Sequence, residues 1–252
     1  MPPAAAARPA TPAVAIVIPA LNEAAALPAL AEGLAALRPA PAERLLVDGG
    51  SRDGTPELAR ALGLAVIEPG LRGRARQINA GVRAVASPLV LVLHADTRLP
   101  ADALAVVTRT LADPRTALAG FTPVIAGPSG VRWPTTIHNW AKTWYAPALF
   151  RPRLFLKGGR LLFGDHAMFF RRADFLAVGG CDEALGVMED ADLCVRMTRL
   201  GRVRLVRERV ITSDRRIAQW GEWRANRIYL SVGIRWGLGF RRGLEQRYPD
   251  VR

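Results

Sequence analysis

The chain has few cysteines, few lysines, a deficit of acidic residues and no long hydrophobic run. Only two of its 252 residues are cysteine. Cys181 and Cys194 lie outside any close metal-ligand spacing and read as reduced core thiols of a cytosolic protein. The longest apolar stretches, such as Pro88 to Leu93, fall far short of the roughly 20 residues that span a bilayer, so no transmembrane helix is implied. Residues 1–12 hold only Ala, Pro, Arg and Thr after the Met. With no apolar core they read as a disordered tail and not as a signal peptide.

What is present is a globular balance of 50% hydrophobic and 23% charged residues, enough for one large domain or one domain with extensions. The net charge is +13, and nearly all the positive charge is arginine. Arginine suits bidentate contacts to nucleotide diphosphates, nucleic acid or anionic lipid headgroups. A compositional bias toward Ala and Arg explains the same charge, so charge alone decides nothing.

Strand and helix signals alternate through the first half. Val14 to Ile18 is a β-branched run that stops at Pro19. Asn22 to Leu37 carries leucines at helical spacing, and Arg44 to Val47 is a second strand ending at Asp48. Thr55-Pro56-Glu57 predicts a helix start, with Thr55 as N-cap and Pro56 at the first helical position. A weak strand over Ala65 to Ile67, a helix over Arg74 to Ala86, an apolar strand over Pro88 to Leu93, a helix over Pro100 to Leu111 and a strand near Leu118 to Val124 follow. This alternation predicts a mostly parallel sheet covered on both faces, with ligands beyond the carboxyl ends of its strands. Asn22 and Glu23, Asp48, and His94-Ala95-Asp96 should therefore converge on one edge.

The second half is less regular. Thr136 to Phe150 carries aromatics at helical spacing, Lys157-Gly158-Gly159-Arg160 reads as a mobile loop, and Asp165 to Arg171 leads into a strand. Glu189 to Leu200 reads as a helix, and Ile217 to Phe240 is amphipathic and arginine-rich. The expected division is a domain over 13–216, with halves 13–125 and 126–216, and a helical extension over 217–252.

Five segments occur in a specific order: Val17-Ile18-Pro19-Ala20-Leu21-Asn22-Glu23, then Val47-Asp48-Gly49-Gly50-Ser51-Arg52-Asp53-Gly54-Thr55, then Gly73 to Gly81, His94-Ala95-Asp96 and Met188-Glu189-Asp190. Together they resemble family 2 glycosyltransferases over about residues 14 to 216. A bacterial subgroup, radical SAM/selenodomain-associated transferase 2, is similar in its His-Ala-Asp loop and in a Gly-Asp-His/Gln segment before paired arginines. The resemblance implies a GT-A fold: α/β, Rossmann-related, a mostly parallel sheet flanked by helices, here with a C-terminal helical extension. It also implies transfer of a sugar from a nucleoside-diphosphate sugar to an acceptor hydroxyl, with inversion.

By that resemblance the first loop (Pro19, Asn22, Glu23) and Asp48 hold the nucleoside, and Asp48 accepts the imide hydrogen of a uracil-like base. The residues themselves allow plainer readings: Asn22 as an N-cap, Glu23 as an acid in a first turn, Asp48 and Asp53 as braces of the Gly-rich turn. Arg74 and Arg76 follow Gly73 at a helix start and suit a diphosphate, with Arg76 preferred. Asp96 is the metal ligand candidate, for Mn2+ or Mg2+ bound with phosphate oxygens and water. The family usually has Asp-x-Asp in this loop. His94 stands where the first Asp would be, and either touches ribose or metal or is a packed strand-end histidine. Asp190 matches the family's base and Glu189 its orienting neighbour. Asp165 and His166 are placed in a loop flanking the acceptor. Arg215 and Arg216 either clamp the diphosphate or form surface ion pairs. The Gln-x-x-Arg-Trp motif of processive synthases is absent near Gln219, which favours single transfers.

The implied partners are a UDP-like sugar donor and an unidentified acceptor, with no nucleic acid. The stripe from Trp220 to Phe240 either packs on the core or on a second subunit, as in a homodimer, or touches the inner membrane face peripherally. Two other readings stay open: a nucleotidyltransferase of related architecture, and a non-catalytic basic protein that binds membrane or nucleic acid.

Overall fold

The computed structural model describes residues 12–70, 72–241 and 243–247. Residues 1–11 of the expected tail and 248–252 of the expected extension lie outside the described residues.

The apolar runs of the first half become the centre of one sheet. β1 (Val14–Ala20) is buried along its whole length and pairs in parallel with β2 (Glu43–Asp48) and β4 (Leu89–Val92). β3 (Ala65–Ile67) extends the parallel part beside β2. Because successive side chains alternate in a strand, β1 feeds two cores. Ala15 and Val17 join the cluster of α3 (Arg74–Ala84) and α8 (Glu189–Met197), through Ile78, Val82, Leu193 and Met197. Ile16 and Ile18 join the leucines of α1 (Leu27–Ala35) and the inner face of α4 (Ala103–Leu111) on the other side. One glycine sets how closely α3 lies on the sheet. A Cβ on Gly81 would stand 2.4 Å from Val17 Cγ1 and 2.9 Å from Val47 Cγ2.

The sheet continues with strands from the second half. β8 (Phe169–Arg171) inserts antiparallel between β4 and the long β6 (Thr116–Gly127). β9 (Arg202–Ser213) then pairs in parallel with β6, and the short β5 (Thr97–Arg98) closes the edge antiparallel to β9. The order is β3-β2-β1-β4-β8-β6-β9-β5, with β7 (Gly130–Val131) paired to β6. The expected parallel, two-faced sheet is present, joined to a far half of mixed pairing, in which only β6 and β9 run in parallel. α5 (Trp133–Phe150) and α10 (Glu222–Gly237) cover the site end, with α6 (Pro152–Leu156), α7 (Arg172–Ala177) and α9 (Arg215–Trp220) as short links. α10 buries Ala225, Val232 and Trp236, so this part of the extension packs on the core. Among the described residues no helix is long and apolar enough to cross a membrane.

Three local expectations change. The helix expected from Asn22 begins at Leu27 after a single 3-10 turn, because Asn22 is left-handed at φ 53°. Helix α2 (Thr55–Ala61) has Gly54, not Thr55, at its cap. The Thr55 hydroxyl is used elsewhere: it accepts the Glu23 N–H at 2.9 Å and donates to Asp53. The 157–160 segment is a bonded helix end: Gly158 and Gly159 N–H donate to Phe155 and Leu154 carbonyls at 3.0 and 2.9 Å. Cys181 and Cys194 are both buried and free.

Candidate active site

The carboxyl ends of β1 and β4 open into one cavity, as the sheet rule requires. Glu23 reaches it from the loop after β1, and His94 and Asp96 from the loop after β4. Arg74 enters at the start of α3, Asp190 at the start of α8, and Arg215 and Arg216 at the start of α9.

Asp190 is buried in the cavity wall, and its pKa is raised to about 6. Burial away from water is the main cause, and the neighbouring Glu189 charge adds to it, against the attraction of Arg74. Glu189 is itself 1% exposed and does not line the cavity. Its Oε1 accepts a hydrogen bond from Arg74 Nε, and Arg74 Nη2 stands 3.7 Å from Asp190 Oδ2. Adjacent residues on a helix point in different directions. Glu189 therefore faces inward and holds Arg74, while Asp190 faces the cavity.

Arg74 and Arg76 separate for the same reason. Arg74 lies on the side of α3 that also carries Gln77, whose Nε2 donates to the Ala20 and Val47 carbonyls at the strand ends. Arg76 is turned to the exposed side, 3.8 Å from Glu183, and is absent from the cavity lining. Helix geometry thus brings Arg74, and not the preferred Arg76, to the cavity lining.

The loop after β1 and the Gly-rich loop after β2 are laced together. Asn22 N–H donates to Ser51 Oγ at 2.8 Å, and Arg52 N–H to Asn22 Oδ1 at 2.9 Å. Asp53 accepts from Ala24 and Thr55 N–H, and Asp48 Oδ2 from Gly50 and Ser51 N–H at 2.8 and 2.9 Å. Asp48, Asp53 and Asn22 stand outside the cavity lining, and their side chains brace these loops; Pro19 and Glu23 line the cavity.

Arg215 makes a bidentate pair with Glu23, at 2.9 and 3.0 Å, and its Nη2 lies 3.5 Å from Asp96 Oδ2. This pair ties the start of α9 to the first loop within the cavity lining. His94 packs under the 164–166 turn: a Cβ on Gly164 would stand 2.5 Å from His94 Cε1 and 3.1 Å from Arg74 Nη1. Asp165 faces the cavity, whereas His166 is fully buried, with Nδ1 3.1 Å from Asp165 and Nε2 3.2 Å from Thr143. Burial opposes charge on Asp165, but the His166 contact and the nearby Lys142 and His94 hold it well below the usual carboxylate range.

Lys142 is the residue that sequence reading missed. It projects from α5 into the cavity, 3.6 Å above the Phe163 ring, facing Asp165 and Asp190. Burial lowers its pKa, and the two carboxylates pull the other way. A signal existed: Thr135, Asn139 and Lys142 form a polar stripe at helical spacing within an otherwise aromatic helix.

A model of glycosyl transferase family 2 matches residues 15–179, from β1 through α7. The chain belongs to this family. Asp190 lies beyond the matched residues, and the fold brings it into the same cavity as Asp96 and Arg74. An uncharacterised glycosyltransferase of Mycobacterium tuberculosis (strain ATCC 25618 / H37Rv) is 33% identical over 134 residues, which is 51% of this chain and 58% of that one. The aligned part thus spans less than two thirds of that relative. A mannosyltransferase from Pyrobaculum calidifontis, solved with GDP-Man and Mn2+, superposes with a TM-score of 0.66 at 20% identity, over 88% of this chain and 62% of that one. Glucosyl-3-phosphoglycerate synthase from Mycobacterium tuberculosis, solved with Mn2+, UDP and phosphoglyceric acid, gives 0.61 at 17% identity, over 95% and 80%. The family 2 chain thus has the GT-A-like fold that its motifs imply.

Proposed function

We propose that the protein is a glycosyltransferase that moves a sugar from a nucleoside-diphosphate sugar to an acceptor hydroxyl, with inversion at the anomeric carbon. The observation that carries this reading is a buried carboxylate of raised pKa, Asp190, in one cavity with Asp96 and Arg74 at the carboxyl edge of the sheet. Asp190 takes the hydroxyl proton as the acceptor oxygen bonds to the anomeric carbon. The bond from that carbon to the diphosphate oxygen breaks on the opposite face, and the electron pair leaves with the diphosphate. A base with a pKa of about 6 is largely ionised at neutral pH, yet basic enough to accept that proton. Arg74 and Arg216 supply guanidinium donors for the diphosphate. The first loop, through Pro19 and Glu23, forms the nucleoside end of the site, with Asp48 bracing the neighbouring Gly-rich loop and a uracil-like base preferred.

Asp96 and the adjacent His94 offer one carboxylate and one imidazole, and no cluster of three metal-binding side chains occurs among the described residues. That donor set suits Mn2+ or Mg2+ sharing its shell with phosphate oxygens and water. When bound, such a cation neutralises charge developing on the leaving diphosphate. Mn2+ in both solved relatives supports this reading.

The test is release of nucleoside diphosphate from a panel of nucleotide sugars with Mn2+, and its dependence on chelator. Asp190→Asn is expected to lower turnover by roughly 10²- to 10⁴-fold while donor binding persists. Asp96→Ala is expected to abolish the metal dependence. Unchanged release in Asp96→Ala removes the metal assignment, and full activity in Asp190→Asn removes the base.

A further inference from the structure

The outer side of α5 is apolar although it faces solvent. Trp133, Ile137, Trp140 and Trp144 recur at helical spacing on one face, 56%, 59%, 48% and 37% exposed. Leu156 at the end of α6 continues the patch at 83% exposure. α10 runs alongside α5, joined by Thr135 to Glu222 at 3.1 Å and His138 to Asn226 at 3.0 Å, and carries its own exposed Trp223, Leu230 and Ile234. Contiguous apolar surface of this kind marks an interaction site.

A second observation identifies the partner's charge. Trp144 and Leu156 form one wall of a cleft whose other side chains include Lys157, Arg160, Arg202 and Arg204, and among the described residues no acidic side chain lines it. The Arg160 guanidinium lies 4.5 Å over the Trp144 ring, so cation and aromatic are presented together. Tryptophan beside arginine and lysine on a surface helix matches the boundary between lipid headgroups and acyl chains. A second copy of this chain is disfavoured by the net charge of +13, since like-charged copies repel.

We propose that the α5–α6 face and its basic cleft form a docking surface for an anionic lipid bilayer. The Trp and Leu side chains enter the headgroup boundary, and the cleft cations pair with headgroup phosphates. The opposite side of α5 lines the candidate active site through Thr135, Asn139 and Lys142, so docking sets the cavity about one helix diameter, on the order of 10 Å, from the lipid surface. This inference stands independently of the transfer chemistry.

The test is flotation of the full chain with phosphatidylcholine vesicles, with and without phosphatidylglycerol, at low and high salt. Binding is expected only with phosphatidylglycerol and is expected to fall as salt rises. Lys157→Gln with Arg202→Gln is expected to weaken it on the order of tenfold or more, at about fivefold per cation removed. Ile137→Ser with Trp140→Ser is expected to weaken it similarly and to remove a vesicle-induced blue shift of tryptophan emission. Thermal melts establish that each variant is folded, and Trp133→Gln at the helix start replaces any that is not. Equal binding to both vesicle types, or variants that float like the parent, overturns the proposal. So does a dimer, detected by light scattering, that Ile137→Ser with Trp140→Ser dissociates in the absence of any vesicle binding.

Discussion

A charge on Asp190 is held in the cavity wall against its desolvation, and this has consequences for both rate and stability. Its folded pKa of about 6 lies above the ordinary 3.8, so between those values the folded chain binds more protons than the unfolded one. The sign follows: the stability that this group contributes is present at low pH and is lost as pH rises through about 6. Asp190→Asn is therefore expected to melt higher than the parent near pH 8 in a thermal scan, as it loses turnover. The acid limb of the rate profile should fall below pH about 6. Lys142 faces Asp190 and favours its ionised form. Lys142→Met should move that limb to higher pH, and a limb that stays in place assigns it to another group. Gly164→Ala brings a methyl against His94 and Arg74, and roughly tenfold or greater loss of donor turnover is the expected reading.

At the scale of elements, the first half was legible because its apolar runs are pure and its helices carry clear spacing. β1, β2, β4, α3 and α4 appear within a few residues of expectation. The strand expected at the end of Asp165 to Arg171 is β8, but its antiparallel place between β4 and β6 and most of β9 were not legible. β8 has three residues, too few to fix its partners, and β9 alternates arginines with apolar residues through Arg202, Arg204, Arg207 and Arg209, which reads as a solvated segment. Which strand pairs with which is decided by non-local contacts that composition does not encode. The approach of α3 to the sheet is testable at one position. Gly81→Ala forces a methyl into Val17 and Val47, and should cost about 1–3 kcal/mol in denaturant unfolding. An unchanged midpoint would mean that α3 can shift outward freely.

For the whole molecule, the Arg215–Glu23 pair joins segments 192 residues apart in the cavity lining. Arg215→Ala should destabilise by about 1–2 kcal/mol, a figure kept low because the side chain is 40% exposed, and should raise the donor KM more than it lowers kcat. By itself the sequence determined the family and the two-faced sheet, and it singled out Asp96 and Asp190, which the fold brings to one cavity, because motif order and apolar periodicity are local properties. Only the tertiary structure decided which polar groups meet. It turned Arg74 inward and Arg76 outward, gave Asp48 and Asp53 to the loops, and brought Lys142 to the carboxylates. Those outcomes depend on helix rotation and on contacts between residues far apart in the chain, where spacing along the sequence carries no information.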